Sequence, residues 1–177
     1  SLVILGILAI FDLVVGVSND AVNFLNSAIG ARVASIKVIL IVAGLGIMAG
    51  VTFSSGMMEV ARNGIFHPEH FSLPELLIIF VAVMLTDVLL LDLFNTFGLP
   101  TSTTVSIIFE LLGASVAVSL IKIYAANESF VLLGQYINTA KVLAIISGIF
   151  LSVAIAFSVG IAAQFFSRML FTFDYGK

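Results

Sequence analysis

Long apolar runs dominate this sequence and restrict the structures that it can adopt. Only 10% of the residues are charged, whereas soluble domains usually carry about 25%. A helix needs about 20 apolar residues to cross the hydrocarbon core of a bilayer, with a range of roughly 17–25. We therefore predict an all-α integral membrane protein with about five transmembrane helices. The five runs are Leu2–Gly16, Ile36–Thr52, Leu76–Phe94, Thr104–Ile121 and Val142–Leu170.

The composition also excludes several classes of protein. The chain contains no cysteine, which excludes a disulfide framework and a thiolate metal site. It has no basic patch interleaved with aromatic residues, so nothing supports binding to nucleic acid.

The first polar stretch, Gly16–Ser27, lies between two apolar runs and contains three asparagines, an aspartate and two serines. At membrane depth, such side chains must be buried in protein or line a watery cavity. On a helix, Asn19 and Asn23 would share a face. Together with the Asp20 carboxylate, their amide oxygens suit a hard cation. The alternative is a polar contact between helices, or a re-entrant loop, that binds no ligand.

The second polar stretch, Asn95–Thr104, has the signals of a helix end followed by a helix start. Gly98 can end the third helix in the left-handed conformation, and Thr101 or Ser102 can cap the fourth. Four consecutive hydroxyl side chains, at residues 101–104, would gather at that helix start. Free backbone N–H groups there favour an oxyanion such as phosphate or sulfate. The alternative is a capped helix without a ligand.

Short apolar runs border both polar stretches, which is typical of discontinuous or re-entrant helices in transporters. Five spans would also place the two chain ends on opposite sides of the membrane. A second copy following Lys177 would then enter with inverted topology. We therefore expect residues 1–177 to form a single transmembrane domain, the first inverted repeat of a longer transporter whose second repeat is not in this chain.

Carboxylates interrupt these runs, and no lysine or arginine accompanies them in the same segments. Each carboxylate in hydrocarbon costs roughly 2.5–3.5 kcal/mol. Some must therefore be protonated, hydrated or neutralised by a bound cation, which favours cation-coupled transport. Asp20 is the strongest candidate and Asp87 the weakest, because Asp87 and Asp92 could lie near the membrane surface. The candidate coupling residues are Asp20, Asn19, Asn23, Asp92, Asp12 and Glu110.

Two motifs now point to a family. Residues 16–23, Gly-Val-Ser-Asn-Asp-Ala-Val-Asn, are similar to the G-A-N-D-V-A-N signature of the inorganic phosphate transporter (PiT) family. Residues 100–104, Pro-Thr-Ser-Thr-Thr, resemble that family's P-x-S-T-T-H motif. The resemblance covers essentially the whole chain, taken as the first half of a longer member.

This resemblance implies a sodium- or proton-coupled symporter of inorganic phosphate that works by alternating access. Such a protein is not an enzyme, needs no cofactor beyond the co-transported ion, and is expected to be a homodimer. We expect a multi-pass location in the lipid bilayer of a bacterial cytoplasmic membrane.

The resemblance also implies roles for individual residues. Asp20 and Asn19 would bind sodium, and Asn23 would belong to both the ion site and the phosphate site. Phosphate would bind to Thr101, Ser102, Thr103 and Thr104.

Three positions depart from the family pattern. Val105 stands where the family has histidine, Ser54 where it tends to have glutamate, and Ser18 where it has alanine. The first two departures remove ionisable groups, so the coupling ion and the oxyanion stay open.

Two further classes remain as alternatives. An intramembrane aspartyl protease would use a pair such as Asp12 and Asp92, but its G-x-G-D and Y-D signatures are absent. A membrane scaffold without transport activity would leave both polar stretches unexplained.

Overall fold

The described part of the chain is helical, which confirms the predicted all-α class. The computed structural model describes residues 2–54 and 64–170, and only the backbone of residue 22. Two 3₁₀ turns, Pro68–His70 and Phe130–Leu132, and one isolated bridge between Phe66 and Ile137 accompany the helices. The helices are α1 (Leu2–Gly30), α2 (Ile36–Thr52), α3 (Leu73–Phe97), α4 (Thr103–Ala125), α5 (Leu133–Tyr136) and α6 (Thr139–Leu170).

Four of these helices, α1, α3, α4 and α6, are long and apolar enough to cross a membrane. α2 is a shorter apolar helix of 17 residues. No more than 22% of any of the four spans is buried within the described chain. Apolar side chains on this scale need lipid or further protein to cover them, and the chain is therefore a multi-pass integral membrane protein.

α1 runs without a break through the first polar stretch, and the interruption predicted there is wrong. The helix continues to Gly30 rather than ending near Gly16. The stretch contains no proline, and asparagine and aspartate disfavour helix by less than about 0.7 kcal/mol each. Where water is scarce, keeping the backbone hydrogen bonds of the helix outweighs that cost.

The second polar stretch does interrupt the helices, as predicted. α3 ends at Phe97, and Gly98 adopts the left-handed conformation with φ 64° and ψ 29°. The Leu99 N–H then bonds back to the Phe94 carbonyl at 2.9 Å. Ser102 is the N-cap of α4, and its side chain accepts a hydrogen bond from the Val105 N–H at 3.5 Å.

Residues 1–139 form one compact unit, in which α3 packs against both α1 and α4. α3 buries a stripe of residues four positions apart: Ile79, Val83, Asp87 and Leu91. α4 buries a matching stripe with the same spacing: Leu111, Ser115, Ser119 and Ile123. Residues four apart lie on one face of a helix, so these stripes identify the faces that meet in the interior.

An ion pair joins the start of α3 to the end of α4. The Lys122 ammonium, in the last turn of α4, donates to Glu75 Oε2 at 2.9 Å and to the His70 carbonyl at 2.7 Å. Glu75 also accepts the Ser72 N–H in a capping box at the start of α3. α3 and α4 are therefore antiparallel.

Residues 140–170, which make up α6 after its first residue, belong to a second unit. The helix has 32 residues with basic Arg168 in its last turn. Nearly all of its residues are exposed within the described chain, which is typical of a helix whose surroundings are lipid or other protein.

Candidate functional site

Asn19 and Asn95 link α1 to the end of α3. Asn19 is 3% exposed, and its Nδ2 donates to Asn95 Oδ1 at 2.9 Å. Asn95 Nδ2 in turn donates to the Val15 carbonyl at 3.3 Å. A buried amide needs such partners to offset its desolvation. These two side chains therefore fix which part of α1 lies beside the break between α3 and α4.

Asn23, one turn further along α1, reaches the other side of the break. Its Nδ2 donates to the Thr101 carbonyl at 3.0 Å and lies 3.5 Å from Asn19 Oδ1. Thr101 is part of the irregular segment between Phe97 and Thr103. Asn19 and Asn23 thus bond to residues on the two sides of Gly98.

Asp20 contacts the first residue of α4. Thr103 Oγ1 lies 3.3 and 3.4 Å from the two carboxylate oxygens of Asp20 and donates to them. The N-terminus of a helix favours a nearby negative charge, so this position offsets part of the cost of burying the carboxylate. The contact unites the predicted cation residue with the predicted phosphate residues. We call Asn19, Asp20, Asn23, Asn95 and Thr103 the polar cluster.

The remaining hydroxyl side chains at the start of α4 are open to the outside. Ser102 and Thr104 are exposed, and Thr101 is half-buried. The Ser102 oxygen caps α4, which leaves its O–H proton able to donate elsewhere. These side chains, rather than Thr103, are the ones able to donate to an incoming oxyanion.

Asp12 and Glu110 do not join the polar cluster. Asp12 precedes Asn19 by seven residues on α1, and Glu110 follows Thr103 by seven on α4. At 1.5 Å per residue, each is about 10 Å along its helix from the polar cluster. Asp87 lies in hydrogen-bonding range of both. These three carboxyl groups form a separate group, which we call the carboxyl cluster.

Asp87 is the residue that the sequence ranked too low. It is 2% exposed and lies in the middle of α3, well inside the helix rather than at its end. The sequence contained a signal for this burial: Asp87 belongs to the stripe of four residues, ending at Leu91, that faces α1 and α4. Asn95 extends the stripe and was also missed as a site residue.

Asp92 is exposed on α3 and lies five residues after Asp87, which turns it to another face of the helix. Asp12 is accompanied instead by Asp87 and Glu110. The Asp12–Asp92 pair that an aspartyl protease would need is therefore not formed within this chain.

The sodium assignment to Asp20 and Asn19 stays a prediction. Across residues 2–54 and 64–170, no group of three histidine, cysteine, aspartate or glutamate side chains could hold a metal ion. Asp20 and Asn19 would need amide, hydroxyl or carbonyl oxygens to complete a cation site. Thr103 and Asn23 are the nearest such groups.

Two of the three departures from the family motifs, Val105 and Ser18, lie within helices, and Ser54 follows α2. The Val105 N–H donates a hydrogen bond to the side chain of Ser102, the N-cap of α4. Ser18 Oγ bonds to the Val14 carbonyl within α1 at 2.7 Å. Ser54, just after α2, donates to the Val51 carbonyl at 2.8 Å. Ser18 directly precedes Asn19 of the polar cluster, and Val105 lies two residues after Thr103.

Comparisons with known proteins agree with these motifs. A protein of Thermococcus kodakarensis named "Putative phosphate permease" is 36% identical over 98 residues, which are 54% of this chain and 24% of that protein. A protein of Pyrococcus furiosus with the same description is 34% identical over 98 residues, with the same two shares. The chain thus matches about a quarter of the length of these curated relatives.

No solved structure matches the chain. The sequence profile described as "Phosphate transporter family" matches residues 16–174. This match includes both polar stretches and α1 from Gly16 onward, and the chain belongs to the phosphate transporter family.

Proposed function

We propose that the full-length protein carries inorganic phosphate across a membrane by cation-coupled symport with alternating access. Family membership and the names of the archaeal relatives support phosphate as the substrate. The observation that carries the proposal is the contact between Asp20 and Thr103. It places a carboxylate beside a helix start that is rich in hydroxyl groups.

This arrangement makes anion binding depend on a cation. Two unit charges 4 Å apart repel by about 4 kcal/mol at the effective dielectric constant of a protein surface. An oxyanion held by Ser102 and Thr104 would feel the Asp20 carboxylate nearby. Sodium or a proton at Asp20 removes that repulsion, so phosphate and cation bind together. Asn19 and Asn23 add oxygen ligands for sodium, and Asn23 and Thr101 complete the phosphate site.

The wider assembly is part of the same proposal. Residues 1–177 are the first of two inverted repeats, and the polar cluster is half of a site that the second repeat completes. Alternating access moves one repeat against the other about this site. The protein is a homodimer in the cytoplasmic membrane, as the family resemblance implies.

Transport by the purified full-length protein in proteoliposomes tests the proposal. Phosphate uptake is measured with an inward sodium gradient, with an inward proton gradient and with neither, and sulfate uptake is measured in parallel. We expect one gradient to drive phosphate accumulation, because neutralisation of Asp20 is required for phosphate to bind. Uptake of sulfate without phosphate would identify a different oxyanion transporter.

Asp20→Asn separates the coupling role from the fold. The amide keeps the shape of the side chain and removes its charge, so we expect gradient-driven accumulation to be lost. Glu128→Gln is the matched control, since Glu128 is an exposed residue just after α4. Coupled uptake that is unchanged in Asp20→Asn would remove Asp20 from the mechanism.

A further inference from the structure

The carboxyl cluster is built by three helices that meet in the interior. Asp12 comes from α1, Asp87 from α3 and Glu110 from α4. Asp87 is 2% exposed and lies in hydrogen-bonding range of both other side chains. The cluster and the polar cluster are separated by about two helical turns on each of the three helices, or about 10–12 Å.

Several oxygens of the cluster have no donor in the part of the chain that the structure describes. Asp12 Oδ1, Asp87 Oδ1 and Glu110 Oε2 are buried and have no hydrogen-bond partner there. The Ser106 hydroxyl donates to the other oxygen of Glu110 at 2.8 Å. Ionised carboxylates only accept hydrogen bonds, so neighbouring carboxylates cannot satisfy one another. A buried polar group without a partner is costly and calls for an explanation.

Among the residues that the structure describes, the charged groups acting on the cluster are negative. The charged groups that act on Asp12 are Asp87 and Glu110, and the one that acts on Glu110 is Asp87. Asp87 also acts on Asp20. Lys122, the cation of α4, is held by Glu75 at the far end of the helix. Within the described residues the cluster therefore lacks a counter-charge, which a bound proton or cation would supply.

A proton fits this geometry. A proton on one carboxyl group converts a contact between two acceptors into an O–H···O⁻ hydrogen bond, which is short and strong. Sodium would need several oxygens around one point. Within the described residues, these carboxyl groups do not form a group that could hold a metal ion. One proton between two carboxyl groups needs no further ligand, which favours the proton.

We propose that Asp12, Asp87 and Glu110 form a proton-binding site inside the membrane, separate from the polar cluster. At least one proton is shared between Asp87 and its two neighbours. In coupling, a proton enters and leaves the carboxyl cluster once in each transport cycle, and this role rests on the proposed transport function. The binding of a proton by the cluster does not depend on that function.

Infrared difference spectroscopy of the full-length protein in lipid tests the site directly. The carbonyl stretch of a protonated carboxylic acid is recorded at neutral and at alkaline pH. We expect this band at neutral pH in the wild type, with a shift in D₂O. We expect the band to be lost or strongly reduced in Asp87→Asn and in Glu110→Gln. The two variants lie on different helices, so a folding defect in one leaves the other informative.

Glu128→Gln, the same substitution at an exposed glutamate, should leave the band unchanged. A wild type without the band at neutral pH would overturn the proposal. So would a band that persists in both cluster variants. A band that appears only after sodium is removed would identify a sodium site instead.

Transport provides the second measurement. Phosphate uptake driven by a proton gradient should fall by about tenfold or more in Asp87→Asn, as expected for a site energetically coupled to transport. Glu128→Gln should transport as the wild type does. If the wild type transports no phosphate, the proposed function fails, whereas the infrared band still decides whether the carboxyl cluster binds a proton. Undiminished proton-driven uptake in Asp87→Asn would exclude the cluster from coupling.

Discussion

Asn19 shows how a single side chain positions the polar cluster. Its amide is buried between α1 and α3 and connects Asn23 on its own helix with Asn95 on the other. Interhelical hydrogen bonds in membranes are worth about 0.6 kcal/mol on average and up to about 1.7 kcal/mol. The energy of this link is therefore modest, and its main contribution is to fix where the α3–α4 break meets α1.

Asn19→Ala tests this link. The substitution leaves the buried Asn95 Oδ1 without its donor, so we expect a loss of about 1 kcal/mol in stability. The measurement is thermal unfolding of the full-length protein in detergent, with Asn26→Ala as the control. Asn26 lies on the same helix and is exposed, so its variant should unfold as the wild type does. Equal losses in the two variants would show that the Asn19–Asn95 bond does not hold the helices together.

At the scale of elements, the break between α3 and α4 depends on one backbone conformation. Gly98 has φ 64°, a region that costs other residues roughly 1–2 kcal/mol. This conformation ends α3 and lets the next four residues bring Ser102 to the start of α4. The hydroxyl groups of the candidate phosphate site depend on this turn for their position.

Gly98→Ala should therefore destabilise the protein by about 1 kcal/mol through backbone strain alone, because nothing lies within 4 Å of the added Cβ. Gly113→Ala is the matched control inside α4, where the Cβ also meets open space. Alanine favours a helix interior over glycine by roughly 0.5–1 kcal/mol. Thermal unfolding should show opposite shifts, and a destabilised Gly113→Ala with an unaffected Gly98→Ala would contradict this account.

At the scale of the whole molecule, the chain combines an apolar exterior with two polar groups in its interior. No more than 22% of the residues of the spans α1, α3 and α4 are buried, whereas Asn19 and Asp87 are buried between these helices. This is the inverse of a soluble protein, in which polar residues cover the surface. Lipid on the outside makes interior carboxyl and amide groups expensive unless they bind something.

The exposed apolar spans predict how the protein behaves on extraction. The full-length protein should stay in the membrane pellet after washing with alkaline carbonate or high salt, because these treatments do not offset the burial of four apolar spans. Detergent should release it. Immunoblots of pellet and supernatant provide the measurement, with a peripheral membrane protein as the control. Release by carbonate alone would show that the spans do not cross the bilayer.

The sequence by itself determined the features that depend on local chemistry. Apolar runs of sufficient length form helices in lipid because the backbone must bond to itself, and the runs at Leu76 and Thr104 accordingly lie within α3 and α4. Gly98 and Ser102 likewise specify a helix end and a helix start through their own conformational preferences. The sequence also identified Asp20 and the hydroxyl groups after Pro100 as residues of interest.

Only the tertiary structure decided which side chains meet. Asn19 and Asn95 are separated by 76 residues, and Asp20 and Thr103 by 83. No local preference encodes such pairs, since they depend on how the helices pack. The same packing carried α1 unbroken through the first polar stretch, because Asn95 and Thr101 supply partners to its asparagines. It also buried Asp87 between α1 and α4, beside Asp12 and Glu110.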